Sequence, residues 1–279
     1  MKQFEKFSVC MSVYKKDNLL HFKQAIESII NQTIPPNEIV LVIDGPIHDK
    51  LNIYVSKLQK QYNFITIIKL EENRGLGNAL RIGIEKAKYN LIARMDSDDI
   101  SVPDRFEKQL RCFDLDSNLS LVGGAIYEFI DTPQNVIGVR SCPLDDINIK
   151  KQIKYRSPFN HVTVMFKKYD ILKVGNYQDL HFNEDYLLWI KLCSANCKFL
   201  NLINNLVYVR VGKEMYSRRG GIKYFKSELK IQKVLLDFKL INYLEFSLNV
   251  LIRLIVQVLI PNNLRAFLFK RFFRNKPKK

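Results

Sequence analysis

A chain of 279 residues, 47% of them hydrophobic, has enough apolar material for one large α/β domain or two modest ones. Lys and Arg number 44 against 28 acids, a net charge of +16, so an anionic partner is expected: nucleic acid, phosphorylated small molecules or an acidic membrane. Five cysteines, an odd set, and an N-terminal stretch with no apolar signal core point to a reducing cytoplasm.

Over the first hundred residues, short Val- and Ile-rich runs alternate with segments of helical periodicity. Strands are predicted over Phe7–Val13, Glu38–Ile43, 64–70 and 90–95, and helices over 18–31, 49–62 and 75–88. This alternation implies a mostly parallel sheet flanked by helices, and such sheets bind ligands beyond the carboxyl ends of their strands. The strand exits are Val13-Tyr14-Lys15-Lys16, Asp44-Gly45-Pro46, Glu71-Glu72-Asn73-Arg74-Gly75-Leu76-Gly77 and Asp96-Ser97-Asp98-Asp99. No Gly-x-Gly-x-x-Gly follows the first strand, and no Gly-x-x-x-x-Gly-Lys-Ser/Thr occurs anywhere, which argues against dinucleotide and P-loop sites. Gly75 and Gly77 would let backbone approach a phosphate, with Arg74 as its charge partner.

At the fourth exit an apolar run ends abruptly in three carboxylates. Acids so crowded repel one another, and a cation sharing the site would relieve them; hard oxygen ligands suit Mg²⁺ or Mn²⁺. The competing reading is a solvated turn that caps the helix opened by Pro103, since Asp and Ser are good N-caps. Both remain open at this point.

Beyond residue 100 the rhythm changes. A helix is predicted over 103–114, a hairpin over 119–130 and 136–139, a helix over 145–155 and an extended segment over 160–166. An amphipathic helix follows from Asn183 to about residue 196, with Glu184 and Asp185 in its first turn, where acids also complement the helix dipole. Cys193 and Cys197 share a face of it, but no second Cys or His pair completes a zinc site, so both are read as packing residues. Residues 241–260 span roughly 30 Å as a helix, the nominal length for crossing a bilayer. A stripe of Glu245, Asn249, Arg253 and Gln257 suits an interfacial or bundle-packed helix better than a lipid-exposed span. After Pro261, Leu264, Phe267, Leu268 and Phe272 alternate with Arg265, Lys270, Arg271 and Arg274, a pattern suited to anionic headgroups. From Phe246 onward there is no acid and there are eight Lys and Arg, so half of the net charge belongs to the tail.

Four segments taken together, Ser8-Val-Cys-Met-Ser-Val-Tyr14, Glu38-Ile-Val-Leu-Val-Ile-Asp44-Gly45, Met95-Asp-Ser-Asp-Asp-Ile-Ser-Val-Pro-Asp-Arg-Phe106 and Asn183-Glu-Asp-Tyr-Leu-Leu-Trp189, resemble the motifs of family 2 glycosyltransferases, in the same order and at similar spacing. Asn73-Arg-Gly-Leu-Gly-Asn-Ala-Leu80 and Arg218-Arg-Gly-Gly-Ile-Lys-Tyr-Phe-Lys-Ser-Glu228 are similar to a bacterial subgroup that builds exopolysaccharide, capsule or lipopolysaccharide. The resemblance implies an inverting enzyme of the GT-A fold that uses a UDP-sugar donor and a lipid-linked or oligosaccharide acceptor. It also implies a division into a catalytic domain over 1–215, with a nucleotide half to about residue 100 and an acceptor half after it, and membrane-associating helices over 216–279.

By the same resemblance, Val13 and Tyr14 border the nucleotide-sugar, Asp44 accepts the uracil imide N–H, and Arg74 lies near uracil or the phosphates. Asp96 holds the ribose or assists a divalent cation, Mn²⁺ or Mg²⁺, that Asp98 binds; Asp99 is a second candidate ligand or a helix cap. Asp185 is the general base, and Glu184 orients the acceptor or supports the loop. His161 is an acceptor-side or metal-side residue or a structurally bonded histidine, and Trp189 a core residue or a sugar-stacking ring. Two departures stand out: Pro46 replaces a small hydroxyl residue, and Gly175-Asn176-Tyr177 stands where a second glycine is usual.

A sugar nucleotidyltransferase would carry a Gly-rich, Arg-containing loop after its first strand, which is missing here. A nucleic-acid-binding protein would explain the charge, but its clustering in an apolar, Phe-rich tail favours an anionic membrane and no nucleic acid. The expected location is the inner face of the cytoplasmic membrane, as a peripheral protein.

Overall fold

The computed structural model describes residues 4–212 and 220–261. The N-terminal strands form as β1 (Phe7–Val13), β2 (Glu38–Ile43), β3 (Ile65–Lys69) and β4 (Leu91–Met95), separated by α1 (Leu19–Ile30), α2 (Asp49–Gln61) and α3 (Leu76–Lys86). They pair in parallel in the order β3-β2-β1-β4. Every residue of β2 and β4 is buried, as expected of a parallel sheet with both faces covered.

After β4 come β5 (Ile100–Ser101), α4 (Arg105–Leu115), β6 (Leu119–Phe129), β7 (Val136–Arg140), α5 (Asp146–Gln152), β8 (Met165–Lys167), α6 (Lys168–Lys173), α7 (Glu184–Ser194) and β9 (Lys198–Arg210). The nine-stranded sheet runs β3-β2-β1-β4-β8-β6-β9-β5, with β7 on β6. Its parallel half ends where β8 joins β4 antiparallel. The extended segment expected over 160–166 is instead a 3₁₀ turn at His161–Thr163 followed by β8. Thr163 Oγ1 donates to Asn160 O (2.8 Å) and Asn160 Nδ2 to Gly124 O (2.8 Å), which closes the turn against β6.

Side-chain alternation along β1 sends Val9, Met11 and Val13 into one core with α1, α2 and α4, and Cys10 into the other with α3, α5 and α7. Beside the second core Asn176, next to Tyr177, adopts φ 57°. Its side chain accepts from Tyr177 N (2.8 Å) and donates to Arg81 O (3.1 Å), the local bonding that lets Asn adopt a left-handed backbone.

The C-terminal helices α8 (Ile222–Asp237) and α9 (Tyr243–Leu254) close the second face. Ile231, Leu235 and Ile241 share that core with Trp189, so the boundary expected after residue 215 does not divide it. The helix expected over 241–260 is α9 continued by a π-helical turn, Ile255–Leu259. Its polar stripe faces the protein: Asn249 Nδ2 donates to Gln232 Oε1 (3.0 Å), and Arg253 Nε to Glu228 Oε2 (2.7 Å). Tyr243, Leu244, Leu248, Leu251, Ile252 and Leu259 are left exposed. Among the described residues no helix is long and apolar enough to cross a membrane. The basic amphipathic stretch after Pro261 lies outside the described residues.

Candidate active site

Asp44 leaves β2 with its amide bonded to Val13 O (2.8 Å), and its buried carboxylate gathers the loop after β3. Oδ1 accepts from Arg74 N (2.7 Å), while Oδ2 accepts from Gly75 N (3.0 Å) and Asn73 Nδ2 (2.9 Å). Gly45 makes this approach feasible: its φ is +80°, and a Cβ there would lie 2.5 Å from Asn73 N. The structure thus gives Asp44 a loop-organising task beside any ligand contact. Val13 is fully buried, so only its main chain faces this edge, whereas Tyr14 is exposed. Arg74 is half exposed, 3.4 Å from Glu72.

The acids after β4 each have a different neighbour. Arg94, 3% exposed, forms a two-pronged ion pair with Asp96; two residues apart on an extended chain, the side chains point the same way. Behind it Arg105, fully buried, donates to Arg94 O (2.7 Å) and Gln109 Oε1 (3.1 Å); burial and then Arg94 push its guanidinium down to about 9. Asp99 is buried and accepts from Arg210 N on β9 (2.8 Å). The capping role weighed for it is therefore corrected: Asp104 stands at the N-cap of α4, and Asp99 is committed to β9. Arg210 also donates from Nε to Asp98 O (3.2 Å) and from its terminal nitrogens to Gln24 Oε1 and Asp131 O (both 2.9 Å).

Asp98 is the exposed member of the run. The protein crowded around its carboxyl, ahead of the charges of Asp96 and Asp17, pushes it up to about 6. Asp17 accepts from Ser97 Oγ (2.7 Å) and Tyr14 N (3.1 Å), and burial raises it too. Among the described residues no three His, Cys, Asp or Glu side chains are gathered as a metal site. One exposed, crowded carboxylate with hard oxygen donors nevertheless fits a divalent cation that draws its other ligands from phosphate and water.

Across the site, Glu184 and Asp185 begin α7. A Cβ on Gly77 would come 3.2 Å from Glu184 Cβ, so the bare glycine lets the first turn of α3 and the start of α7 meet. Glu184 Oε2 is buried with no partner among the described residues, and burial, then the charge of Asp185, pushes its carboxyl up to about 7. His161 Nε2 lies 2.6 Å from Tyr177 Oη. Burial, then Arg94, holds His161 well below its ordinary value and burial holds Tyr177 well above, so the phenol donates to a neutral imidazole. Trp189 is fully buried and packs edge-on against Phe159 and His161, which favours the core residue of its two readings over the sugar-stacking ring.

Arg94, Arg105, Asp17, Tyr177 and Arg210 also belong to the site, although no motif in the sequence assigns them a role. For Arg94 a signal was available: an arginine inside a fully apolar strand needs an acid, and Asp96 is two residues on.

The model of the family described as Glycosyl transferase family 2 matches residues 8–174. The chain belongs to that family. Among relatives of this family 2 glycosyltransferase is the Escherichia coli UDP-Gal:alpha-D-GlcNAc-diphosphoundecaprenol beta-1,3-galactosyltransferase, 36% identical over 96% of this chain and 97% of its own. The fold matches S. aureus TarS 1-349 in complex with UDP-GlcNAc at a TM-score of 0.68 and 17% identity, over 96% of this chain and 76% of that one. It also matches GalNAc-T7 with UDP, GalNAc and Mn2+ at a TM-score of 0.66 and 16% identity, over 84% and 48% of the two chains. The α/β architecture with its flanking helices is thus the GT-A fold.

Proposed function

We propose that this glycosyltransferase moves a hexose from a UDP-sugar to a lipid-linked saccharide by one inverting displacement, in the assembly of a bacterial surface polysaccharide. The observation that carries the reading is the meeting of a nucleotide-side edge (Asp44, Arg74, Asp96, Asp98) with the Glu184-Asp185 step of α7 across Gly77. The galactosyltransferase relative supports the donor and acceptor classes.

Asp44 and the main chain of Val13 hold the base, with Tyr14 beside it, and Arg74 meets uracil or the phosphates. Asp96, steadied by Arg94, faces the ribose. Asp98, with Asp96 alongside, would hold Mn²⁺ or Mg²⁺, which when bound neutralises charge on the departing diphosphate. Asp185 takes the proton of the acceptor hydroxyl; the acceptor oxygen bonds to the anomeric carbon from the face opposite the diphosphate, and UDP leaves with the electron pair of the broken bond. Glu184 steadies the acceptor side, and His161, fixed by Tyr177, borders it.

The membrane part of the proposal rests on α9, whose polar stripe is spent on the protein while its apolar face, Tyr243, Leu244, Leu248, Leu251 and Ile252, is exposed. An exposed apolar helix face on a chain of net charge +16 suits an anionic bilayer carrying the lipid-linked acceptor, which would hold the enzyme on the inner face of the cytoplasmic membrane.

The test is a panel of UDP-hexoses with a lipid-diphosphate saccharide, scoring UDP release with Mn²⁺, Mg²⁺ or EDTA. Release is expected with one or two donors, and to be lost on chelation and in Asp98→Ala. Undiminished release in EDTA would refute the metal role, and a product that keeps the donor's anomeric configuration would refute the single displacement.

A further inference from the structure

The segment leading into α7 carries an unusual backbone. Phe182 lies at φ 78°, a region a bulky side chain avoids unless its surroundings hold it there. It is two residues before Glu184 and three before Asp185. The residues on either side of it are tied to one atom: Ser227 Oγ, on α8, donates to His181 O (2.7 Å) and accepts from Asn183 Nδ2 (3.0 Å). The Phe182 ring adds an edge-on contact with Tyr224 one turn earlier on α8, at 5.5 Å between centroids.

Asn183 sharpens the point. It occupies the N-cap of α7, where Asn ordinarily turns its side chain onto the helix's own free N–H groups, yet it makes no capping bond. Its amide is spent on Ser227 instead, and Asn183 and Ser227 are both buried. A local preference is given up for a long-range tie, and the tie sits next to the acids of the site. Behind Ser227, α8 is itself fixed: Glu228 pairs with Arg253 at 2.7 Å, and Gln232 accepts from Asn249 at 3.0 Å.

We propose that Ser227 is a positioning residue for sugar transfer: its hydroxyl clamps the chain on both sides of Phe182 and so sets where α7 begins and where Asp185 points. The C-terminal helices are then part of the catalytic apparatus as well as a cover for the core. The inference rests on reading Asp185 as the base. Misplacing a reacting group by about an ångström through a remote change costs up to about a hundredfold in rate.

The experiment compares full-length wild type, Ser227→Ala, Ser227→Thr, Phe182→Gly and Asp185→Asn for transfer to a saccharide acceptor, with folding followed by circular dichroism. Ser227→Ala should lower kcat about tenfold or more with the KM for UDP-sugar unchanged, and Ser227→Thr, which keeps the hydroxyl, should recover most of the rate. Should Ser227→Ala fail to fold, Phe182→Gly takes its place: glycine accepts the left-handed backbone, loses the Tyr224 contact, and should show the same selective fall in kcat. A folded Ser227→Ala with the wild-type kcat overturns the clamp, as does equal impairment of the Ala and Thr variants. Asp185→Asn separates the two readings: if it transfers normally the base assignment fails, whereas if it is inactive while Ser227→Ala is fully active only the clamp fails.

Discussion

The acids after β4 and the acids that open α7 face each other across the site, and they are held in opposite ways. After β4 two of the three carboxylates are assigned a partner by charge or backbone, Asp96 by Arg94 and Asp99 by the amide of Arg210, with Asp98 left exposed among Asp96 and Asp17. At α7 the grip is steric, Glu184 lying against Gly77 with one oxygen buried and unpartnered among the described residues. The first arrangement is an excess of negative charge on a rigid frame, suited to meeting a cation. Desolvation raises Glu184 in the second as it raises Asp98 in the first, but the Glu184 carboxyl has a buried oxygen with no arginine bonded to it, which suits groups that exchange protons. Identical side-chain chemistry is given two uses by where the arginines stand.

The sharpest way to break this comparison is at Asp185. Asp185→Asn keeps shape and removes proton acceptance, so transfer should fall by about 10²–10⁴-fold while UDP-sugar still binds, measured by product formation and by calorimetric donor titration. Loss of donor binding in that variant would move α7 to the nucleotide side and erase the division of labour.

Next in size is the frame itself. Arg94→Met removes a buried cation from Asp96 and should cost about 2–3 kcal/mol in urea unfolding, below the usual range for a fully buried pair because Asp96 keeps contact with water. A variant as stable as wild type would mean that the acids after β4 do not depend on arginine for their placement.

How far these regions could be read in advance differs for the same physical reasons. β1 and β2 run over the predicted residues because a buried parallel strand is a continuous apolar run with polar ends. β9 escaped notice because Asn201, Asn204 and Asn205 break its pattern; buried Asn201 is accommodated by donating to Pro143 O (2.7 Å) and Pro158 O (3.2 Å), contacts no local window contains. The candidate acids were visible as motifs, but their partners were not, since Arg210 reaches Asp99 over more than a hundred residues and Ser227 reaches Asn183 over forty-four. Trp189 was ambiguous because an aromatic in a helix reads alike whether it faces core or ligand.

A further test lies in the pH dependence of Glu184, and it addresses the α7 side directly. Its carboxyl is pushed from 4.5 up to about 7 in the folded chain, burial first and Asp185 second. Between those values the folded protein keeps a proton that the unfolded chain has released, so stability from this group is present below about pH 4.5 and is lost as pH rises through 7. Glu184→Gln cannot lose that proton. Other raised groups, Asp17, Asp98 and Asp99, titrate in both proteins, so their contributions largely cancel when the two are compared. Urea midpoints at several pH values from 4.5 to 8 should therefore show wild type losing ground to Glu184→Gln as pH rises. Parallel curves would mean that Glu184 titrates in the fold as it does in water, leaving steric burial without a role in tuning the α7 acids.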